Sequence, residues 1–185
     1  MSMKEIYIVL TDTGSVLTTV IKRFTNDPYN HVSISFDSRL NTLYSFGRRQ
    51  AHNPFIGGFV EESINAGTFK KFKNTTCMVL KLNVSIDEYE LLKKQIDFFV
   101  DNMHKYNYNL LGLIGAAFNK RVPRKNAYFC SEFVADVLYK SNVKLWDVPP
   151  HRVKPHDFGS DDRLEVVFEG LLSEYKGPNN NLLTA

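Results

Sequence analysis

Hydrophobic and polar positions alternate along several short stretches of the chain, and this pattern predicts β-strands. The stretch from Lys4 to Leu10 is apolar at almost every position and predicts a strand that is buried on both faces. From His31 to Phe36, apolar residues alternate with a histidine and two serines, so one face of that strand is polar. A further strand from Asn41 to Phe46 follows the turn Asp37-Ser38-Arg39 and completes a predicted β-hairpin. Two more strands are predicted at Thr76 to Val84 and at Leu164 to Phe168.

Apolar residues at a helical spacing predict helices between these strands. One runs from Val16 to Phe24, and a second opens with a capping box at Ser85 and Glu88 and continues to about His104. A third, amphipathic helix is predicted from Ser131 to Ser141, and the stretch from Asn107 to Phe118 is expected to be partly helical. The glycine-containing segment from Gly47 to Gly67 is predicted to be a long loop with at most one short strand. The whole pattern predicts the α+β class with an antiparallel sheet.

Length and composition narrow the class of protein. A chain of 185 residues with 43% hydrophobic and 23% charged residues is typical of one globular domain, expected over residues 1–177. The last residues, 178–185, are predicted to be a disordered tail. A net charge of +3 gives no electrostatic case for a nucleic-acid partner. Neither a signal peptide nor a transmembrane segment is visible, so the expected compartment is the cytoplasm.

The chain contains only two cysteines, Cys77 and Cys130, which lie far apart in sequence. This arrangement excludes both a disulfide scaffold and a zinc knuckle. No pair of histidines has the spacing of metal ligands, so we expect no metal and no cofactor. Cys77 begins a predicted strand without basic neighbours, and we interpret it as a structural residue.

Cys130 is the candidate nucleophile, because it lies at the first turn of a predicted helix. The helix dipole and the free amides at that end favour the thiolate form of a cysteine. The amides of Cys130 and Ser131 could also stabilise an oxyanion beside an attacked carbonyl group. The alternative is that Cys130 is a core residue, since it is in phase with Val134 and Val137.

His31 is the candidate base, because it heads a strand whose own face otherwise carries serines. A neutral imidazole facing a polar cleft can take the proton of a thiol and return it to a leaving group. The alternative is a surface histidine on an ordinary, half-exposed strand.

Two segments in this order resemble a known family. Residues 24–32, which read Phe-Thr-Asn-Asp-Pro-Tyr-Asn-His-Val, come first, and residues 129–134, Phe-Cys-Ser-Glu-Phe-Val, follow much later. This arrangement is similar to the circularly permuted, papain-like hydrolases of the NlpC superfamily, in their YiiX-like branch, which is related to the lecithin:retinol acyltransferase group. In unpermuted members the cysteine precedes the histidine, whereas here His31 precedes Cys130. The resemblance extends from Ile6 to about Tyr175, and the stretch from Tyr106 to Gly112 is similar to the tyrosine-bearing segment ahead of the cysteine helix.

The resemblance implies a circularly permuted papain-like fold in which the nucleophile helix packs on an antiparallel sheet. It also implies that Cys130 is the nucleophile and His31 its base, with Ser131 and either Tyr108 or Tyr106 lining the site.

A third polar residue orients the histidine in this family, and in most members it is His, Glu, Asn or Gln. A three-residue hairpin loop would put Ser45 opposite His31, but a serine supplies no negative charge. The sequence leaves three alternatives open. The third residue is Ser45, or it is Glu61 or Glu62 from the following segment, or the site is a dyad of Cys130 and His31 without a third member.

The function that the resemblance implies is a cysteine hydrolase that cleaves an amide or an ester through a thioester intermediate. Its expected substrate is a small peptide, a cell-wall fragment or an acyl compound. Two alternatives are a non-catalytic ligand-binding module on the same fold and a lipid acyltransferase or thioesterase.

Overall fold

The computed structural model describes residues 2–14, 27–50, 53–108 and 125–178, and all structural statements below concern these ranges. The helix predicted from Val16 to Phe24 lies outside them. So do residues 109–118 of the stretch that we expected to be partly helical, and all but the first residue of the predicted tail.

A six-stranded antiparallel sheet forms the centre of the fold, and it confirms the α+β class. In spatial order the strands are β4-β3-β2-β1-β5-β8, and every neighbouring pair is antiparallel. A separate parallel pair joins β6 to β7. The strand bounds are β1 Met3–Asp12, β2 His31–Ser35, β3 Leu43–Gln50, β4 Asn53–Glu62, β5 Thr76–Ser85, β6 Asn107–Tyr108, β7 Ala127–Tyr128 and β8 Glu165–Leu171.

The sequence predicts the starts of the helices at Ile86 and Cys130 to within one residue, but it does not predict the two short helices at Gly67 and Pro155. The helices are α1 Gly67–Lys71, α2 Ile86–Asp101, α3 Cys130–Lys140 and α4 Pro155–Gly159, with 3₁₀ turns at Met103–Lys105, Pro150–Arg152 and Leu172–Glu174. At the start of α2 the predicted capping box is present: the amide of Glu88 donates to Ser85 Oγ at 3.2 Å, and the amide of Ser85 donates to the Glu88 carboxylate at 2.8 Å. None of the described helices is long and apolar enough to cross a lipid bilayer.

Both faces of the sheet are covered, which explains why β1 is apolar at successive positions. One face carries α2 and α3, and a cluster of aromatic rings fills the space between: Phe46, Phe59, Phe99, Tyr106, Tyr128 and Phe133. The opposite face carries α1 and the segment after β8, which pack on Tyr7, Val9 and Cys77. The large aromatic content of the sequence is therefore mainly core.

The prediction of a long loop from Gly47 to Gly67 is wrong, because most of this segment is the β3–β4 hairpin. Glycines are unfavourable in strands unless another backbone approaches closely, and that is the case here. A Cβ atom at Gly57 would lie 2.7 Å from the Cβ of Tyr108, and one at Gly58 would lie 2.6 Å from the carbonyl oxygen of Tyr106. Gly57 and Gly58 therefore let the segment that contains β6 pack directly on β4.

Candidate active site

Cys130 is the first residue of α3, and its side chain is completely buried. The first amides of a helix have no partner within the helix, and here the amide of Ser131 donates a hydrogen bond to the Cys130 sulfur. The amide of Val32 in β2 donates a second one. The sulfur also lies 3.9 Å from the carbonyl oxygen of Asn30. The thiol is therefore enclosed by the start of a helix and the start of the histidine strand.

The segment that precedes β2 is held in place by Asn30. Its side-chain amide donates to Asp12 Oδ1 at 3.0 Å, and its backbone amide donates to the carbonyl oxygen of Thr11 at 3.2 Å. Both Asn30 and Asp12 are buried, so these bonds are protected from water. They fix the position of the carbonyl group beside Cys130 and of His31, the next residue.

His31 is the first residue of β2, and its side chain is 19% exposed. The ring hydrogen-bonds to Cys130, and its Nε2 lies 3.7 Å from Glu62 Oε2. Burial lowers the pKa of His31, but the hydrogen bonds and negative charges of Cys130 and Glu62 outweigh it and raise the pKa to about 10. The imidazole is therefore held in its protonated form.

The pKa of Cys130 moves in the opposite direction. Burial raises it, but the hydrogen bond and charge of His31, with the amides of Val32 and Ser131, lower it below the ordinary value for a thiol. The two shifts act in the same sense, because a lowered pKa of Cys130 and a raised pKa of His31 both favour the thiolate–imidazolium form of the pair. Cys77 differs, because burial raises its pKa to about 12 and the negative charge of Glu169 acts in the same direction.

The expectation that Ser45 lies opposite His31 is wrong by two residues. Strand β2 pairs with β3 at Ile34 and Tyr44, a register that puts Gly47 beside His31. Accordingly, a Cβ atom at Gly47 would lie 3.4 Å from the His31 ring. The cause is the hairpin connection, which comprises residues 36–42 rather than three residues.

A network of local bonds stabilises this longer connection. The hydroxyl of Ser35 donates to the carbonyl oxygen of Thr42 at 2.8 Å, and the Asp37 carboxylate accepts from the amides of Arg39 and Asn41 at 2.9 and 3.1 Å. Leu40 has a positive φ of 57°. A buried leucine in the left-handed region is uncommon, and the sequence gives no sign of it.

Ser45 nevertheless belongs to the site, because a two-residue shift leaves its side chain on the same face of the sheet. It is completely buried, and its hydroxyl donates to Glu62 Oε2 at 3.2 Å. This is the same oxygen that faces His31. Ser45 therefore orients the carboxylate, not the imidazole.

Of the two glutamates considered, Glu62 approaches His31 and Glu61 does not. Glu62 ends β4, with a side chain that is only 13% exposed. Glu61 is exposed and pairs with Tyr44, whose ring lies on the opposite face of the sheet. Successive side chains of a strand point to opposite faces of the sheet, so Glu61 and Glu62 lie on different faces. Recognising β4 in the sequence would therefore have shown that only one of the two glutamates can approach His31.

Of the two tyrosines considered, Tyr108 is the one that interacts electrostatically with Cys130. Burial and the charge of Cys130 raise the pKa of Tyr108 well above its ordinary value, although the positive charge of Arg48 opposes this. Its hydroxyl stays protonated and can donate a hydrogen bond. Tyr106 packs instead in the aromatic core, against Phe46 and Phe99.

Two further residues complete the description. Arg48 is half-buried, acts electrostatically on Glu62 and Tyr108, and places Nη2 3.4 Å from Thr13 Oγ1. The sequence analysis missed it because the segment was interpreted as a loop.

The Ser131 hydroxyl donates to the carbonyl oxygen of Val153 at 2.7 Å, so its side chain is structural and only its amide faces the sulfur.

Within the described residues, no group of three or more His, Cys, Asp and Glu side chains is arranged to hold a metal ion. Comparisons with known proteins find no matching family model, no matching curated protein and no matching solved structure.

Proposed function

We propose that the protein is a cysteine hydrolase that cleaves an amide or ester bond through a thioester intermediate. The observation that carries the proposal is the hydrogen-bonded pair of Cys130 and His31, with Glu62 3.7 Å from the other side of the ring. A lowered thiol pKa, a raised imidazole pKa and a nearby carboxylate are the features that activate a cysteine nucleophile.

In the first half of the reaction, the Cys130 thiolate attacks the carbonyl carbon of the substrate and forms a carbon–sulfur bond. The carbonyl electron pair moves to the oxygen, where the amides of Cys130 and Ser131 and the hydroxyl of Tyr108 are the available donors. The tetrahedral intermediate collapses, the bond to the leaving amine or alcohol breaks, and the His31 imidazolium donates its proton to that group. The products of this half are a thioester on Cys130 and a neutral imidazole.

In the second half, a water molecule loses a proton to neutral His31 and attacks the thioester carbonyl. Collapse of the second tetrahedral intermediate releases a carboxylic acid and restores the thiolate of Cys130. His31 is again an imidazolium, so the ion pair of the resting site is regenerated and all protons are accounted for.

Glu62 is proposed as the third member of the triad. Because its carboxylate faces Nε2 of His31, the Nδ1 atom is left for Cys130. Its negative charge stabilises the imidazolium, which a serine in this position would not do. The hydroxyl of Ser45 donates to Glu62 Oε2 and so limits the orientation of the carboxylate.

We also propose that the fold is the circularly permuted papain-like arrangement of the NlpC type, in its YiiX-like branch. In its support, the histidine strand precedes the cysteine helix in the chain, and that helix packs on an antiparallel sheet through β2 and β3. The lowered pKa of Cys130 beside His31 favours a hydrolase over a non-catalytic ligand-binding module, because such a module does not need an activated thiol.

The triad is tested by comparing two adjacent glutamates. The substitution Glu62→Gln keeps the size of the side chain but removes one of the two negative charges, those of Cys130 and Glu62, that raise the pKa of His31. Hydrolysis of an activated ester such as 4-nitrophenyl acetate should slow by about tenfold, the effect of about one pKa unit. Glu61→Gln removes the same charge from an exposed position and should hydrolyse the ester at the wild-type rate. Equal rates for both variants would remove Glu62 from the triad.

A further inference from the structure

A cavity of about 350 Å³ lies at one side of the molecule, between α1 and the 3₁₀ turn that follows β8. Its volume is at the small end of the range for small-molecule sites, about 300–1,000 Å³. The apolar part of the wall consists of Ile64, Phe69, Phe72, Leu172 and Tyr175. Phe69, Leu172 and Tyr175 are almost completely buried, so this wall belongs to the core on the second face of the sheet.

Hydrogen bonds hold the walls of the cavity in place. The amide of Thr75 donates a hydrogen bond to the carbonyl oxygen of Phe72 at 3.1 Å. The amide of Leu172 donates one to the carbonyl oxygen of Thr75 at 2.8 Å. The Tyr175 hydroxyl donates to the carbonyl oxygen of Ser38 at 2.7 Å. The bonds of Leu172 and Tyr175 join segments that are distant in sequence, so these parts of the wall are ordered before a ligand binds.

The rim of the cavity is positively charged. Lys70 and Lys73 line it and are exposed, and Lys71 lies between them in sequence with its Nζ 5.6 Å from the centre of the Phe72 ring. No Asp or Glu is among its described lining residues. An apolar wall beneath two lysines is complementary to a molecule with an apolar body and a single anionic group.

This cavity is separate from the proposed catalytic site. None of Cys130, His31 and Glu62 lines it. Phe72 forms part of its wall, and the guanidinium of Arg48 lies 5.4 Å from the centre of that ring. Phe72 thus contacts both the cavity and Arg48, which acts electrostatically on Glu62.

We propose that this cavity is a second ligand site, which binds a small amphiphilic carboxylate of the fatty-acid class. The apolar chain lies against Ile64 and Phe72, the apolar wall residues that are only partly buried, and the carboxylate meets Lys70 and Lys73 at the rim. This assignment does not depend on the thiol chemistry, because it concerns binding alone.

The test is a calorimetric titration of the full chain with octanoate and with its neutral analogue octanamide. Octanoate should bind at one site, and octanamide about tenfold more weakly because it lacks the charge. A Lys70→Gln/Lys73→Gln double variant should bind octanoate about tenfold more weakly than the wild type. The matched control is Lys93→Gln/Lys94→Gln, which removes two exposed lysines of α2 and should leave the affinity unchanged.

A second variant checks the cavity itself. Ser173 is exposed and lines the cavity, so Ser173→Trp should fill it without disturbing the core, and octanoate binding should be lost while the unfolding midpoint is retained. The proposal is overturned if octanoate does not bind at concentrations of about 1 mM. It is also overturned if the lysine variant and its control bind equally, or if Ser173→Trp binds like the wild type. Because hydrolysis is not measured, none of these results bears on Cys130.

Discussion

Replacing Cys130→Ala is expected to abolish rapid alkylation of the native protein by iodoacetamide, whereas Cys77→Ala is expected to leave it intact. Both thiols are completely buried, so exposure does not distinguish them. The two thiols differ in their ionisation. His31 and the two amides lower the pKa of Cys130, whereas burial raises the pKa of Cys77 to about 12. The thiolate is the reactive form, so at neutral pH only Cys130 should react.

Peptide mass mapping after limited exposure to the reagent locates the label. We expect the label on Cys130 to exceed that on Cys77 by at least about 100-fold. The pKa of Cys77 lies far above the ordinary value of about 8.5, so less than about 1% of this thiol is ionised at pH 7. In denaturant both cysteines should react at similar rates, which controls for the reagent. Preferential labelling of Cys77 in the native protein would contradict the assignment of Cys130 as the nucleophile.

Replacing His31→Ala is expected to slow alkylation of Cys130 at pH 7 by about 100-fold. In the wild type the pKa of Cys130 is lowered, so its thiolate persists as the pH falls until that lowered value is reached. Burial is already the largest single influence on this pKa, and without the imidazolium only the two amides oppose it, so the pKa of Cys130 moves above the ordinary value of about 8.5. The reaction should then require alkaline pH, and its rate should fall about tenfold for each pH unit below the new pKa.

The measurement is the alkylation rate of Cys130 as a function of pH in the wild type and in the variant. His104→Ala is the matched control, because His104 is exposed at the end of the α2 region and should leave the profile unchanged. A His31→Ala profile that coincides with that of the wild type would show that the imidazole does not activate the thiol.

The parts of the fold that the sequence predicts are those with local signals. The capping box at Ser85 and Glu88 and the amphipathic pattern after Cys130 locate two helices to within a few residues. The polar face of β2 identifies His31 in the same way. These signals involve neighbouring residues, so they do not depend on the arrangement of the rest of the chain.

The partner of His31 could not be predicted because it depends on the register between strands. The seven-residue connection between β2 and β3 includes Leu40 in a left-handed conformation, which shifts Ser45 away from His31 by two positions. Glu62 belongs to strand β4. The sequence analysis interpreted this strand as part of a loop because it contains Gly57 and Gly58. The glycines are explained only by the packing of Tyr106 and Tyr108 on β4, a long-range contact.

The most direct test of a hydrolase with Cys130 as its nucleophile is to trap the acyl-enzyme. The protein is mixed with 4-nitrophenyl acetate, quenched in acid within seconds and examined by intact-mass and peptide mass spectrometry. The account predicts one acetyl group on Cys130 in a thioester, lost again on further incubation at neutral pH and absent from Cys130→Ala. Acetylation confined to lysines, or the same yield in Cys130→Ala, would contradict it.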